Sequence, residues 1–152
     1  MNTLWLWIHT SLITSGVLGL IISFSSAVMY LLQAAQLKSK KFDSVFFKLP
    51  SLEALDKIHF RFLSGGVVLF TSGLLTGFFW AKNLNALGGI LTDPEIILSF
   101  LTCLVYWIVL SFRLGAASRG QKIAIGTVFS FLLLFVTIAS ILFAPSWYHR
   151  RT

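Results

Sequence analysis

Charged side chains are scarce in this sequence. They make up 11% of the 152 residues, whereas apolar residues make up 57% and the mean hydropathy is +0.87. Water-soluble domains carry about 25% charged residues, so this chain has too few of them to cover a globular surface. The composition therefore predicts an integral membrane protein.

Cysteine and catalytic motifs are almost absent as well. The one cysteine, Cys103, lies in an apolar run, which excludes an intramolecular disulfide and the paired spacing of a zinc or thiol redox site. The sequence has no Walker loop, no G-x-S-x-G nucleophile motif and no H-E-x-x-H zinc motif. No charge lies at the centre of an apolar run, so an ion or proton pathway is not indicated. We expect no enzymatic activity from this chain alone.

Four apolar runs are each long enough to cross a membrane. A helix needs ~20 residues to cross the ~30 Å hydrocarbon core, and lipid offers no partners for an unpaired backbone. The sequence predicts an all-α fold, an integral membrane four-helix bundle that forms a single domain over residues 1–152. The predicted spans are residues 5–32, 62–81, 95–112 and 123–143. Asp93 and Pro94 mark the third start as a capping residue and a first-turn proline.

Positive charge is divided unevenly between the loops. Nine of the 12 lysine and arginine residues lie between spans one and two or between spans three and four. Cytoplasmic loops carry such an excess. We therefore expect a multi-pass protein of the cytoplasmic (inner) membrane with both termini on the outer side. The basic residues are assigned to topology and to contact with membrane lipid, and we do not expect nucleic-acid binding.

The predicted cytoplasmic loop, residues 33–61, contains one ordered segment. Leu52, Leu55 and Ile58 keep a spacing of three residues after Pro50-Ser51, which predicts a short amphipathic helix over residues 51–59. We expect this helix to lie at the membrane interface before it merges with the second span.

Two histidines are predicted at the outer ends of spans. His9 lies about one turn inside the first span, beside Trp5 and Trp7, and His149 follows the fourth span. Neutral imidazoles on one face of the membrane can supply two axial ligands to a haem iron, with aromatic rings beside the porphyrin. The residues alone leave open the alternative that both histidines bind only headgroups or water. His59, on the cytoplasmic side, is interpreted as structural.

Five stretches, in order along the chain, resemble the cytochrome c assembly family, the CcsA/CcmC/HemX-type membrane proteins. They are residues 5–12 (WLWIHTSL), 30–38, 49–61 (LPSLEALDKIHFR), 66–81 and 93–120. In haem-handling members of this family, an outer tryptophan-rich segment that ends in Trp-Asp-Pro is flanked by two outer histidines. The resemblance implies that these groups together hold haem for attachment to apocytochrome c.

The resemblance assigns haem-binding roles to His9 as the first outer histidine and to Asp93 of the retained Asp-Pro pair. The chain departs from the pattern in residues 86–94, which contain no tryptophan, and at Ser111, where the family has a membrane-embedded histidine. The second outer histidine aligns with Tyr148, one position before His149. The pattern therefore looks closer to the HemX-like or YpjD-like branch, whose members keep the helices with a degenerate tryptophan-rich segment.

Three hypotheses about the function remain open. The first is an accessory protein of cytochrome c maturation that binds haem at the outer face through His9 and His149. The second is a non-catalytic regulator of tetrapyrrole synthesis that acts through the cytoplasmic loop, for example on glutamyl-tRNA reductase. The third is a small structural subunit that packs through Gly73 and Gly77. Because the resemblance covers one half of the longer family members, we expect a membrane-protein partner or a homo-oligomer.

Overall fold

A computed structural model of the chain describes residues 2–40, 48–83, 93–115 and 120–143. Within these residues lie four helices, α1 (Asn2–Ser39), α2 (Leu52–Asn83), α3 (Pro94–Leu114) and α4 (Gln121–Phe143). Each helix is long and apolar enough to cross a membrane. The predicted all-α, multi-pass membrane fold is confirmed, while the side on which the termini lie stays a prediction.

The helices alternate in direction between two ends of the bundle. We call these ends the His9 end, where α1 and α3 begin, and the His59 end, where α2 and α4 begin. Basic residues in the described part of the chain concentrate at the His59 end, and Lys82 lies at the His9 end. Those at the His59 end are Lys38, Lys40, Lys48, Lys57, Arg61, Arg113 and Lys122.

Helices α1 and α2 extend well into the segment that was predicted as a loop, residues 33–61. Helix α1 continues to Ser39 because residues 33–39 contain neither proline nor glycine and are rich in helix-forming residues. Lys40 follows with a left-handed φ of 54°. The amphipathic helix predicted over residues 51–59 is the first part of α2, which begins at Leu52 and runs on into the second span without a break.

Helix α3 begins as the sequence predicts. The Asp93 carboxylate accepts a hydrogen bond from the Glu95 N–H at 3.2 Å, and Pro94 occupies the first turn. The helix ends where the Gly115 N–H donates to the carbonyl of Ser111 at 2.9 Å. Asp93 therefore fixes the position of α3 at the His9 end.

Glycines bring α1 and α2 together backbone to backbone. A Cβ atom added to Gly16 would lie 2.6 Å from the Phe70 nitrogen, and one added to Gly19 would lie 3.2 Å from the Gly66 Cα. Small residues permit this approach in lipid, where packing replaces the hydrophobic drive between helices. Gly73 and Gly77, which the sequence marked as a packing segment, also face α1 of the same chain.

The core between the helices combines apolar and hydroxyl side chains. Leu20, Leu63 and Tyr106 are fully buried, and the hydroxyl groups of Thr102 and Thr137 lie 2.9 Å apart between α3 and α4. Many large apolar side chains on the outside of the helices are exposed. In a membrane these outward faces contact lipid. Each helix is therefore apolar both where it packs against its neighbours and where it faces the lipid.

Candidate functional site

His9 is held between α1 and α2 in one tautomer. Its Nδ1 atom lies 2.8 Å from the carbonyl oxygen of Gly73. Because a carbonyl only accepts hydrogen bonds, Nδ1 carries the proton, and in the neutral imidazole Nε2 then carries the lone pair. A histidine that ligates a metal through one nitrogen usually donates its other N–H in this way. The geometry therefore leaves Nε2 available as a ligand atom.

The space for the His9 ring is provided by Gly77. A Cβ atom on Gly77 would lie 2.8 Å from His9 Cε1 and 3.1 Å from Nδ1. The Thr76 hydroxyl donates to the same Gly73 carbonyl at 2.7 Å and lies 3.4 Å from His9 Nδ1. The ring is thus fixed by residues of one turn of α2.

The two N-terminal tryptophans lie on different faces of α1. Trp5 precedes His9 by one helical turn, and its indole N–H donates to the Thr76 carbonyl at 3.0 Å. Its side chain is 37% exposed, whereas Trp7 is 71% exposed. Residues two apart on a helix do not share a face. Only Trp5 therefore belongs with His9 at the contact between α1 and α2.

His9 borders a cavity of about 340 Å³ that residues from all four helices line. The walls are mainly apolar, with the aromatic rings of Phe78, Trp80 and Phe100 and the hydroxyls of Ser99 and Thr137. The rings of Phe78 and Phe100 pack edge to face with centroids 6.3 Å apart. A mostly apolar cavity with few polar groups is typical of a small-molecule site.

The other proposed haem-binding residues have different positions. Asp93 caps α3, so one of its carboxylate oxygens is engaged by the Glu95 N–H. His149 lies outside the described residues. Residues 2–40, 48–83, 93–115 and 120–143 contain no group of three or more histidine, cysteine, aspartate or glutamate side chains that could hold a metal ion. The described part of the site thus offers one histidine.

Several residues of this site were not assigned to it by sequence reasoning. The Gly73 carbonyl, the Thr76 hydroxyl and the gap at Gly77 hold the His9 ring, and Phe78 and Phe100 line the cavity. From the sequence, Gly73 and Gly77 indicate helix packing, and Thr76 lies in a stretch that resembles the family. The sequence signal for this site is the pair of glycines four residues apart, which lie opposite His9 in the neighbouring antiparallel helix.

His59 has a different environment at the opposite end of the bundle. It is buried, and its Nε2 lies 2.8 Å from the hydroxyl oxygen of Thr127. That hydroxyl donates to the Ile123 carbonyl, so it accepts from the Nε2–H of His59. Because Nε2 of His59 carries a proton, it has no free lone pair for a metal, unlike Nε2 of His9. This arrangement agrees with a structural role for His59.

An ion pair lies near His59 and links α2 to α3. The guanidinium of Arg113 donates to the Asp56 carboxylate at 2.5 Å. Arg113 also lies over the ring of Phe60, 5.3 Å from its centroid. The pair ties α3 to the first turns of α2 at the His59 end.

Comparison with known proteins gives one family. Residues 1–146 match the cytochrome C assembly protein family. The chain is 30% identical to Protein HemX of Brevibacillus brevis over 135 residues, which cover 88% of this chain and 47% of that protein. It is 29% identical to the cytochrome c biogenesis protein CcsA of Chlamydomonas reinhardtii, over 86% of this chain and 36% of the relative.

A third relative is the cytochrome c biogenesis protein CcsA of Synechococcus sp. (strain CC9902). It is 27% identical, over 90% of this chain and 51% of the relative. The chain therefore spans about half of the length, or less, of these curated relatives. No solved structure shows a significant match. Together with the four helices, the match over residues 1–146 shows that the chain belongs to the cytochrome c assembly protein family.

Proposed function

We propose that this chain is an accessory membrane protein of cytochrome c biogenesis that binds haem as cargo at the His9 end of the bundle. The observation that carries the proposal is the hydrogen bond from His9 Nδ1 to the Gly73 carbonyl. It fixes the tautomer in which Nε2 can ligate iron. Family membership supports the biological setting.

The residues around His9 have complementary roles in this proposal. His9 Nε2 would bind the haem iron, and the Gly73 carbonyl holds the imidazole in position. The rings of Phe78, Trp80 and Phe100 offer apolar and aromatic surface to a flat macrocycle. His149 is the second residue that we propose would bind the iron. The role assigned to the chain is to bind and orient haem, not to turn over a substrate.

The proposed orientation places the His9 end on the outer side of the cytoplasmic membrane. The concentration of basic residues at the His59 end supports it, since cytoplasmic segments carry the excess of lysine and arginine. Haem bound near His9 would then face the compartment in which cytochromes c are assembled.

The test is the absorption spectrum of the protein purified in mild detergent from haem-replete cells. We expect a Soret band at about one haem per chain, its loss in His9→Ala, and its partial return when free imidazole is added. Restoration by imidazole identifies a ligand position when the haem co-elutes with the folded chain on size exclusion, because imidazole also ligates haem that is free in detergent micelles. The matched control is His59→Ala, which removes a histidine at the other end and keeps the band.

Two results would decide against this proposal. They are a colourless protein that stays colourless after haem titration, and a Soret band that His9→Ala leaves unchanged. The first would favour our second proposal, a non-catalytic regulator that acts through the His59 end. The similarity to Protein HemX and the basic residues of that end support this second proposal.

A further inference from the structure

A groove runs between α3 and α4 at the His59 end, away from the His9 cavity. It has a volume of about 250 Å³, and its lining consists of Val109, Phe112, Ile123 and Gly126, with Lys122 as the one charged residue. A Cβ on Gly126 would lie 3.2 Å from a Val109 methyl group. Gly126 therefore lets α4 pack closely against Val109 of α3 beside the groove.

The groove is apolar along its length and basic at one end. Lys122 is the second residue of α4, so it lies where that span leaves the hydrocarbon. The ion pairs in the described part of the chain are Lys57–Glu53 and Arg113–Asp56. Lys122 takes part in neither pair, and its side chain is exposed.

We infer that this groove binds one anionic phospholipid, with an acyl chain along Val109, Phe112 and Gly126 and its phosphate at Lys122. The two ends of the groove match the two ends of such a lipid. An acyl chain in the groove supplies the van der Waals contacts that the groove walls would otherwise lack. The phosphate would supply an anionic partner for the Lys122 ammonium, which forms no ion pair in the described part of the chain.

The surroundings of the groove favour an anionic lipid over a zwitterionic one. The described part of the His59 end carries seven basic residues, namely Lys38, Lys40, Lys48, Lys57, Arg61, Arg113 and Lys122, and two acidic ones, Glu53 and Asp56. Each basic residue near a membrane surface adds to the attraction of anionic lipids. A choline headgroup would bring a second positive charge into the same region. Charge complementarity therefore selects a headgroup without a cation.

The experiment is native mass spectrometry of the detergent-solubilised chain titrated with phosphatidylglycerol or with phosphatidylcholine of the same acyl chains. We expect phosphatidylglycerol to bind more tightly, and Lys122→Gln to weaken its binding about five-fold, the effect of one basic residue near a membrane surface. The control Lys38→Gln makes the same change in net charge at the same end, outside the groove. Because Lys38 does not line the groove, its variant is expected to weaken the binding less than Lys122→Gln does.

A second pair of variants tests the apolar part of the groove. Gly126→Leu fills the groove, whereas Gly65→Leu adds the same side chain where no atom lies within 4 Å of the added Cβ. Only Gly126→Leu should displace the lipid. Because its Cβ would lie 3.2 Å from a Val109 methyl group, its melting temperature in the absence of added lipid is compared with that of the wild type. If Gly126→Leu itself lowers that temperature, the Lys122→Gln comparison still decides.

Three outcomes would overturn the inference. One is equal affinity for the two lipids, and another is equal weakening by Lys38→Gln and Lys122→Gln. The third is a lipid-free dimer that Gly126→Leu separates into monomers, which would make the groove an interface between copies of the chain. None of these results depends on whether haem binds at His9.

Discussion

The imidazole of His9 occupies the space that the missing side chain of Gly77 leaves open. A Cβ atom at position 77 would lie 2.8 Å from His9 Cε1, closer than nonbonded carbon atoms pack. The same imidazole is hydrogen-bonded to the Gly73 carbonyl, one turn earlier in α2. One glycine provides room for the ring and the other holds it, so the position of His9 depends on α2 as much as on α1.

The first prediction follows from this dependence. Gly77→Ala should rotate the His9 ring away from the Gly73 carbonyl and weaken haem binding by about 10- to 100-fold, as the loss of a partner behind a metal ligand does. Haem titration followed at the Soret band measures the affinity. Gly65→Ala is the matched control, because its added methyl meets no atom within 4 Å. Equal haem affinity in Gly77→Ala and wild type would contradict the proposed role of this contact.

The second prediction separates the two N-terminal tryptophans. Trp5→Phe removes the indole N–H that donates to the Thr76 carbonyl and should lower the free energy of unfolding by about 1 kcal/mol. Trp7→Phe should have no measurable effect, since Trp7 is 71% exposed on another face of α1. Unfolding in mixed micelles with increasing denaturing detergent measures both. A larger loss for Trp7→Phe than for Trp5→Phe would show that the assignment of faces is wrong.

The membrane architecture could be predicted from the sequence because the lipid imposes it. A run of apolar residues in lipid must be helical to pair its own backbone, so four runs predict four helices. The ends of the helices outside the lipid follow local propensity instead. This is why α1 continues to Ser39, although hydropathy predicted a loop from residue 33. The amphipathic pattern, and not hydropathy, predicted the helix over residues 51–59 with which α2 begins at Leu52.

The candidate site was predictable in part. His9 and Trp5 stand out because histidine and tryptophan are informative residue types near a membrane boundary. The partner of His9 is a backbone carbonyl, which every residue possesses, so the sequence does not single out Gly73 for that role. The separation of Trp5 from Trp7 depends on how α1 is rotated against α2. That rotation is set by glycine contacts between distant residues, such as Gly19 with Gly66.

The third prediction concerns the ion pair between Asp56 and Arg113. Asp56→Asn or Arg113→Gln should each lower the free energy of unfolding by about 2 kcal/mol, less than the 3–5 kcal/mol lost from a fully buried pair. The two side chains are 26% and 10% exposed. The double variant should lose less than the sum of the single losses, since the charge left alone in each single variant is removed.

A second pair on the surface serves as the control for this cycle. Lys57 and Glu53 are 72% and 79% exposed, and the corresponding cycle should give a coupling below about 0.5 kcal/mol. Additive losses at Asp56 and Arg113 would mean that the two side chains do not stabilise the fold together.

The last prediction tests the opposite roles of the two histidines. Thr127→Val keeps the shape of the side chain but leaves the buried His59 Nε2–H without its acceptor, which should cost about 2 kcal/mol of unfolding free energy. Thr127→Ser keeps the hydroxyl and should cost about 1 kcal/mol for the packing contacts of the lost methyl group. Both variants should keep the Soret band of the wild type, because we assign His59 to the packing of its end of the bundle and not to the haem site. A Thr127→Val variant as stable as the wild type would contradict the structural role of this hydrogen bond. Loss of the Soret band in a folded Thr127→Val variant would instead connect His59 to the haem site.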